Sequence, residues 1–235
     1  MRSMEKTSAI EAIYSTIVRE SIQQICITSL TKDSGNTTLC HTLATRAAQA
    51  GKHVLLIEFN LENPSLGKFE TIIQNQWLPL TGHWEQAVQD SQTPGLNLLC
   101  APNETGNCIE FRDIEIMALF FETAMSQYDL IICDVSPLLC QEASIIPTEA
   151  LSFTSQHTFL NVLTNVTTES QLTEAKEMLE QNGASISAVI MNDRYAPSLK
   201  DELIRETQRL NKLFPRTMNL MRRVLNRSLL LNQDL

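Results

Sequence analysis

The pattern that most constrains this chain is a regular alternation of short apolar runs with longer segments of helical spacing. Six runs have strand length: Ile25–Thr28, Val54–Ile57, Leu96–Leu99, Leu130–Cys133, Thr158–Val162 and Ser187–Ile190. A first helix is expected from Ile10, Ile13, Tyr14, Ile17, Val18 and Ile22, with Ser8 as its cap. Further helices are expected over Thr37–Ala50, Trp84–Gln89, Asp113–Ser126 and Glu169–Asn182, with Gly51 and Gly183 as stop signals. Strands that are apolar throughout must be covered on both faces, and a helix between each pair supplies the cover. The expected fold is therefore α/β and doubly wound, with a mainly parallel sheet of about six to eight strands. Past residue 198 only helical spacing remains, through Leu199, Leu203, Leu210, Leu213 and Phe214 and, beyond Pro215, Met218, Met221, Val224, Leu225 and Leu229. This divides the chain into a domain over 1–198 and a C-terminal helical segment over 199–235 that packs on it or extends from it.

Charge separates the same two parts. The net charge is −9, yet residues 1–193 carry 9 Lys/Arg against 23 Asp/Glu, whereas residues 194–227 carry 9 against 3. An acidic body disfavours nucleic-acid binding through bulk positive charge. The basic segment, with Arg216, Arg222, Arg223 and Arg227, is a candidate surface for anionic lipid or an acidic partner. The plainer alternative is that these helices pack on the sheet and turn their charges to water. No run reaches about 18 apolar residues and the N-terminus has no apolar signal core, so a cytoplasmic protein is expected, peripheral at the inner membrane if the basic segment meets lipid. Six cysteines without a C-x-x-C pair read as reduced thiols, with Cys26, Cys133 and Cys140 in the core. No H-E-x-x-H occurs, so catalytic zinc is not expected. Trp77, Trp84 and the segment Ala118–Phe121 read as packing residues.

In doubly wound sheets ligands sit beyond the carboxyl ends of the strands. The first strand leads into Lys32-Asp33-Ser34-Gly35-Asn36-Thr37-Thr38 and then a helix, the layout of a phosphate-binding loop. Of G-x-x-x-x-G-K-[ST], Gly35 and Thr37 stand in place, while the lysine position holds Asn36 and the earlier glycine is absent. Taken alone, the sequence Gly-Asn-Thr-Thr is equally the start of any Thr-capped helix. The second strand ends at Glu58 and the fourth at Asp134, two carboxylates placed to hold magnesium or to cap the loops that follow.

Together these stretches resemble the MinD/ParA-like P-loop ATPases, and among them the bacterial tyrosine kinases of capsule and exopolysaccharide assembly. The resemblance runs from about residue 8 to 196, through the loop to Thr38, Ala48–Glu58, Asn63–Leu66, Tyr128–Pro137 and Val189–Arg194. It implies a nucleotide site at Lys32, Ser34, Gly35, Asn36, Thr37, Thr38 and Asn192, with magnesium at Thr37, Glu58 and Asp134, and Asn192 against the adenine. The departures point to lost catalysis. The family's loop lysine contacts the β- and γ-phosphates, and Asn36 carries no charge. Asp33 would repel a triphosphate, and the two aspartates of the family's second strand are Glu58 and Asn60 here. Such kinases end in a tyrosine-rich tail, whereas the last tyrosine in this sequence is Tyr195, so no autophosphorylation tail is expected. The E-x-x-R-x-x-R pattern linked to ring assembly reads Glu11, Tyr14, Ile17.

Three functional expectations follow. The first is a pseudo-ATPase or pseudokinase, with no cofactor or only weak Mg-ATP or Mg-ADP binding. Its partner would be a membrane-anchored polysaccharide chain-length or export protein, or another assembly component, and it could form a homo-oligomer. The second is an atypical active ATPase or kinase in which Lys32 reaches the phosphates. The third is a MinD-like positioning protein at the membrane. The chain holds seven glycines, where average usage of about 7% gives roughly 16, and Gly35 is the only one before Gly51.

Overall fold

A computed structural model describes residues 2–193 except 62, 72, 74, 82, 103–108 and 141–145, with side chains from residue 8 onward. The proposed C-terminal segment 199–235, including Arg216, Arg222, Arg223 and Arg227, lies outside the described residues.

The chain opens with helix α1 (Arg2–Arg19), strand β1 (Gln24–Ser29), α2 (Asn36–Gln49) and β2 (Val54–Glu58). It continues through α3 (Trp84–Ala87), β3 (Gln89–Asp90), β4 (Leu96–Leu99), α4 (Ile109–Arg112), α5 (Ile114–Met125) and β5 (Leu130–Asp134). The last elements are α6 (Thr148–Thr154), β6 (His157–Leu163), α7 (Glu169–Gln181) and β7 (Ile186–Asn192). Among the described residues the strands form one seven-stranded sheet in the order β3-β4-β2-β5-β1-β6-β7. Every pairing is parallel except β3 with β4. The expected doubly wound architecture is therefore the one found, and all six expected strands are present.

Two expectations are corrected. Helix α1 starts at Arg2, so Ser8 lies inside it and caps nothing. The helix expected over Trp84–Gln89 ends at Ala87, because Val88 is extended (φ −64°, ψ 137°), and Gln89 and Asp90 then pair with β4. Caps behave as their chemistry dictates elsewhere. The Asp113 carboxylate accepts the Glu115 and Ile116 N–H groups at 2.9 and 3.1 Å, and Thr168 with Gln171 forms a capping box at the start of α7.

Period-two alternation sends neighbouring strand residues to opposite faces. Ile25, Ile27, Val54, Leu56, Leu130 and Ile132 pack beneath α1 and α2. On the other face Cys26, Leu55, Ile57, Ile131 and Cys133 meet an aromatic layer of Phe59, Trp77, Trp84, Phe111, Phe120 and Phe121. Trp77 is fully buried, its Nε1 donating to the Cys100 carbonyl at 2.7 Å, and its ring stacks 5.9 Å from Phe120. Trp84 is buried as well. Of Ala118–Phe121, the two phenylalanines are core while Leu119 is exposed. Cys26 and Cys133 are buried and Cys140 is half-buried. Helix α7 covers the flank of that second face, with Ala175 and Leu179 over Leu160 and Val162 of β6.

Candidate functional site

The site lies at the carboxyl ends of β1, β2 and β5, where the topology predicts it. Between β1 and α2 the chain reverses through two residues in left-handed conformation, Asp33 (φ 59°) and Gly35 (φ 75°). Glycine adopts that region without penalty and therefore serves as the N-cap of α2; no side chain caps the helix. Residues 35–38 at the helix start border an open cavity of about 290 Å³, lined also by Lys32, Asn60, Ser65 and Lys68 among others.

Beneath the loop runs a buried amide network. Asn36 is only 9% exposed, and its Nδ2 donates both to the Ile27 carbonyl and to Asp134 Oδ1, each at 2.8 Å. The Asn36 side chain thus points down onto the end of β1. Asn161, fully buried in β6, donates from Nδ2 to the Ser34 carbonyl at 3.3 Å and to Asn36 Oδ1 at 3.5 Å. Asn192 donates to the same Ser34 carbonyl at 2.9 Å. Three asparagines from α2, β6 and β7 therefore pin the loop from below.

Glu58 and Asp134 are register neighbours on β2 and β5, both 2% exposed, and they have different partners. Glu58 accepts the N–H groups of Ser65 and Leu66 on Oε1, the latter at 2.8 Å, and that of Ala101 on Oε2 at 3.5 Å. Burial pushes this carboxyl above its usual range, and the three N–H groups oppose the shift. Asp134 receives one bond from Asn36, while its Oδ2 has no partner of ordinary hydrogen-bond geometry. Burial pushes its carboxyl up to about 7 against the neighbouring Thr37 and Asn36, and the charge of Glu58 adds to the rise.

The structure places the other expected residues around the cavity. Thr37 accepts a hydrogen bond from the Ser65 hydroxyl at 2.8 Å, and Lys32 and Thr38 are exposed at the rim. Sequence reasoning missed Asn161, Ser65 and Lys68. Asn161 had a legible signal, since a lone amide inside Phe159-Leu160-Asn161-Val162-Leu163 must find a partner within the core. Lys68 had none, because its approach depends on the 3₁₀ turn Leu66–Lys68. Among the described residues no three His, Cys, Asp or Glu side chains cluster to hold a metal ion.

No family model matches the chain. A curated relative, tyrosine-protein kinase YwqD of Bacillus subtilis strain 168, is 27% identical over 181 residues, 75% of each chain. Tyrosine-protein kinase ptk of Acinetobacter johnsonii is 26% identical over 176 residues, which span 72% of this chain but 23% of that protein. The kinase domain of the Escherichia coli tyrosine kinase ETK superposes with a TM-score of 0.66 at 21% identity, covering 80% of this chain and 74% of that one. The chain is a relative of the bacterial tyrosine kinases. The septum site-determining protein MinD of Pyrococcus horikoshii, solved with Mg-ADP, superposes with a TM-score of 0.60 at 18% identity over 76% of this chain and 73% of its own, so the P-loop fold is common to all. At the start of α2 the Asn36 side chain is committed to the Ile27 carbonyl and Asp134.

Proposed function

We propose that this chain is a catalytically degenerate member of its kinase kin, a pseudo-ATPase or pseudokinase that serves as a binding or regulatory component of bacterial capsule or exopolysaccharide assembly. The observation that carries the reading is the Asn36 amide, held by the Ile27 carbonyl and Asp134 Oδ1 below the loop. A transferable phosphoryl group needs a cation over its oxygens and a metal whose charge offsets the leaving group. The residues present fit that requirement poorly. Asn36 offers no charge, and Glu58 spends its oxygens on the N–H groups of Ser65, Leu66 and Ala101. Asp134 is buried, its carboxyl pushed up to about 7, and its Oδ1 is already taken by the Asn36 amide. Losing a charge-assisted contact costs about 1.5–3 kcal/mol in binding and more in a transition state that gathers charge.

The polysaccharide setting and a membrane-anchored export protein as partner rest on kinship with the tyrosine kinases. A phosphate-release assay with Mg-ATP on the whole chain tests the catalytic part. No turnover above the buffer rate is expected. Turnover that disappears in Asp134→Asn would instead establish an active ATPase in which Lys32 or Lys68 at the cavity rim supplies the missing cation.

A further inference from the structure

Strand β7 closes one edge of the sheet and pairs only with β6 among the described residues. Its two faces are covered unequally. Ala188 and Ile190 pack against the cluster under α1 and α2. Val189 and Met191 lie on the opposite face, in register with Leu160 and Val162 of β6. Helix α7 shields Leu160 and Val162, yet Val189 remains 51% and Met191 64% exposed. Among the described residues, two large apolar side chains thus stand on an edge strand without cover, an arrangement that proteins protect with a helix or loop because it otherwise recruits other strands.

Electrostatics narrows what can lie there. Helix α7, the neighbour on this face, exposes Glu169, Glu174, Glu177 and Glu180 against a single lysine, Lys176. A covering element should therefore combine an apolar stripe with positive charge. The next residues in the chain have that character. The described strand ends at Asn192, and residues 194–235 follow with nine Lys/Arg before residue 228 and with Leu199, Leu203, Leu210, Leu213 and Phe214 at helical spacing. The described chain ends at Asp193, just past β7, so the 42 residues that follow need no long connection to reach that face.

We propose that residues 199–235 fold back as an amphipathic helical cover over the Val189 and Met191 face of β7, with their basic side chains toward the acidic α7. The apolar stripe is then spent on the body of the protein. The basic residues Arg216, Arg222, Arg223 and Arg227 act in an intramolecular interface and do not serve as a lipid anchor.

Limited tryptic digestion of the whole chain, followed by mass spectrometry, tests this through cleavage at Arg205, Arg209 and Lys212. Cleavage there should be slow in the wild type, because proteolysis samples the open fraction of a docked segment. In Val189→Asp/Met191→Asp it should accelerate about tenfold or more while cleavage within 2–193 stays unchanged, since both side chains are already largely exposed. Glu174→Lys/Glu177→Lys, two surface changes on α7, should accelerate it about threefold and provides an independent reading if the first variant misfolds. Equal cleavage rates in wild type and both variants overturn the proposal. Flotation of the wild type at physiological salt with vesicles of 30% phosphatidylglycerol, with protection of these sites appearing only when vesicles are present, also overturns it and assigns the segment to lipid.

Discussion

Replacing Asp134 with Asn should stabilise the protein above neutral pH and leave it nearly unchanged in acid. The carboxyl is 2% exposed, receives one hydrogen bond from Asn36 and sits beside Glu58 on the next strand. It titrates at about 7 in the folded chain, whereas an unfolded chain releases that proton near 3.9. A carboxyl whose folded value is raised contributes stability that is fully present below the unfolded value and disappears as the pH rises through the folded one. Between about pH 4 and 7 the wild type should therefore lose on the order of 4 kcal/mol at this site, an upper bound because water and side chains relax around a buried charge. Asparagine keeps an oxygen for the Asn36 amide and introduces no charge. Urea unfolding of both proteins at pH 4.5 and pH 8, read as the difference between them so that other carboxyls cancel, should show Asp134→Asn ahead by about 1–4 kcal/mol at pH 8 and by little at pH 4.5. A variant that is equally destabilised at both pH values would refute the assignment of Asp134 as a buried, reluctantly ionised group.

Other substitutions probe the surrounding structure. Asn36→Ala leaves Asp134 Oδ1 without its donor and the Ile27 carbonyl with only the Val135 N–H, and should lower stability by about 1–3 kcal/mol in urea at pH 7, whereas a pocket-facing Asn36 would give almost no change. Trp77→Ala removes the centre of the aromatic layer and its bond to Cys100, and should lower the thermal midpoint by an amount equivalent to about 3–5 kcal/mol. Gly183→Ala places a methyl 2.9 Å from the Phe153 ring at a residue with φ +77°, and differential scanning calorimetry should register a loss of more than about 1 kcal/mol.

The architecture was legible because buried parallel strands leave an unambiguous imprint: Leu96–Leu99 coincides with its run, and the other five strands extend theirs by one to three residues. Helix starts were harder. Ser8 has capping chemistry, but α1 begins at Arg2 and runs through it, so the residue type alone did not mark the helix start. The two-residue β3 escaped notice because so short a strand carries no periodicity of its own. At the site, the chain order of Gly35, Asn36, Thr37, Glu58 and Asp134 revealed where the loop would lie. What these residues do there depended on side-chain direction. The asparagine at 36 announced a missing charge, while its role as a strut between β1 and β5 appears only once Ile27 and Asp134 are brought within 2.8 Å of one amide. Glu58 shows the same limit, since the N–H groups it holds come from positions 65, 66 and 101.

The central claim, that the loop has exchanged phosphate binding for an internal tether, is tested most directly by isothermal titration calorimetry of the whole chain with ATP and magnesium. No saturable heat is expected below about millimolar nucleotide, the range left when the charge-assisted loop contact is missing. A dissociation constant in the low micromolar range would contradict it.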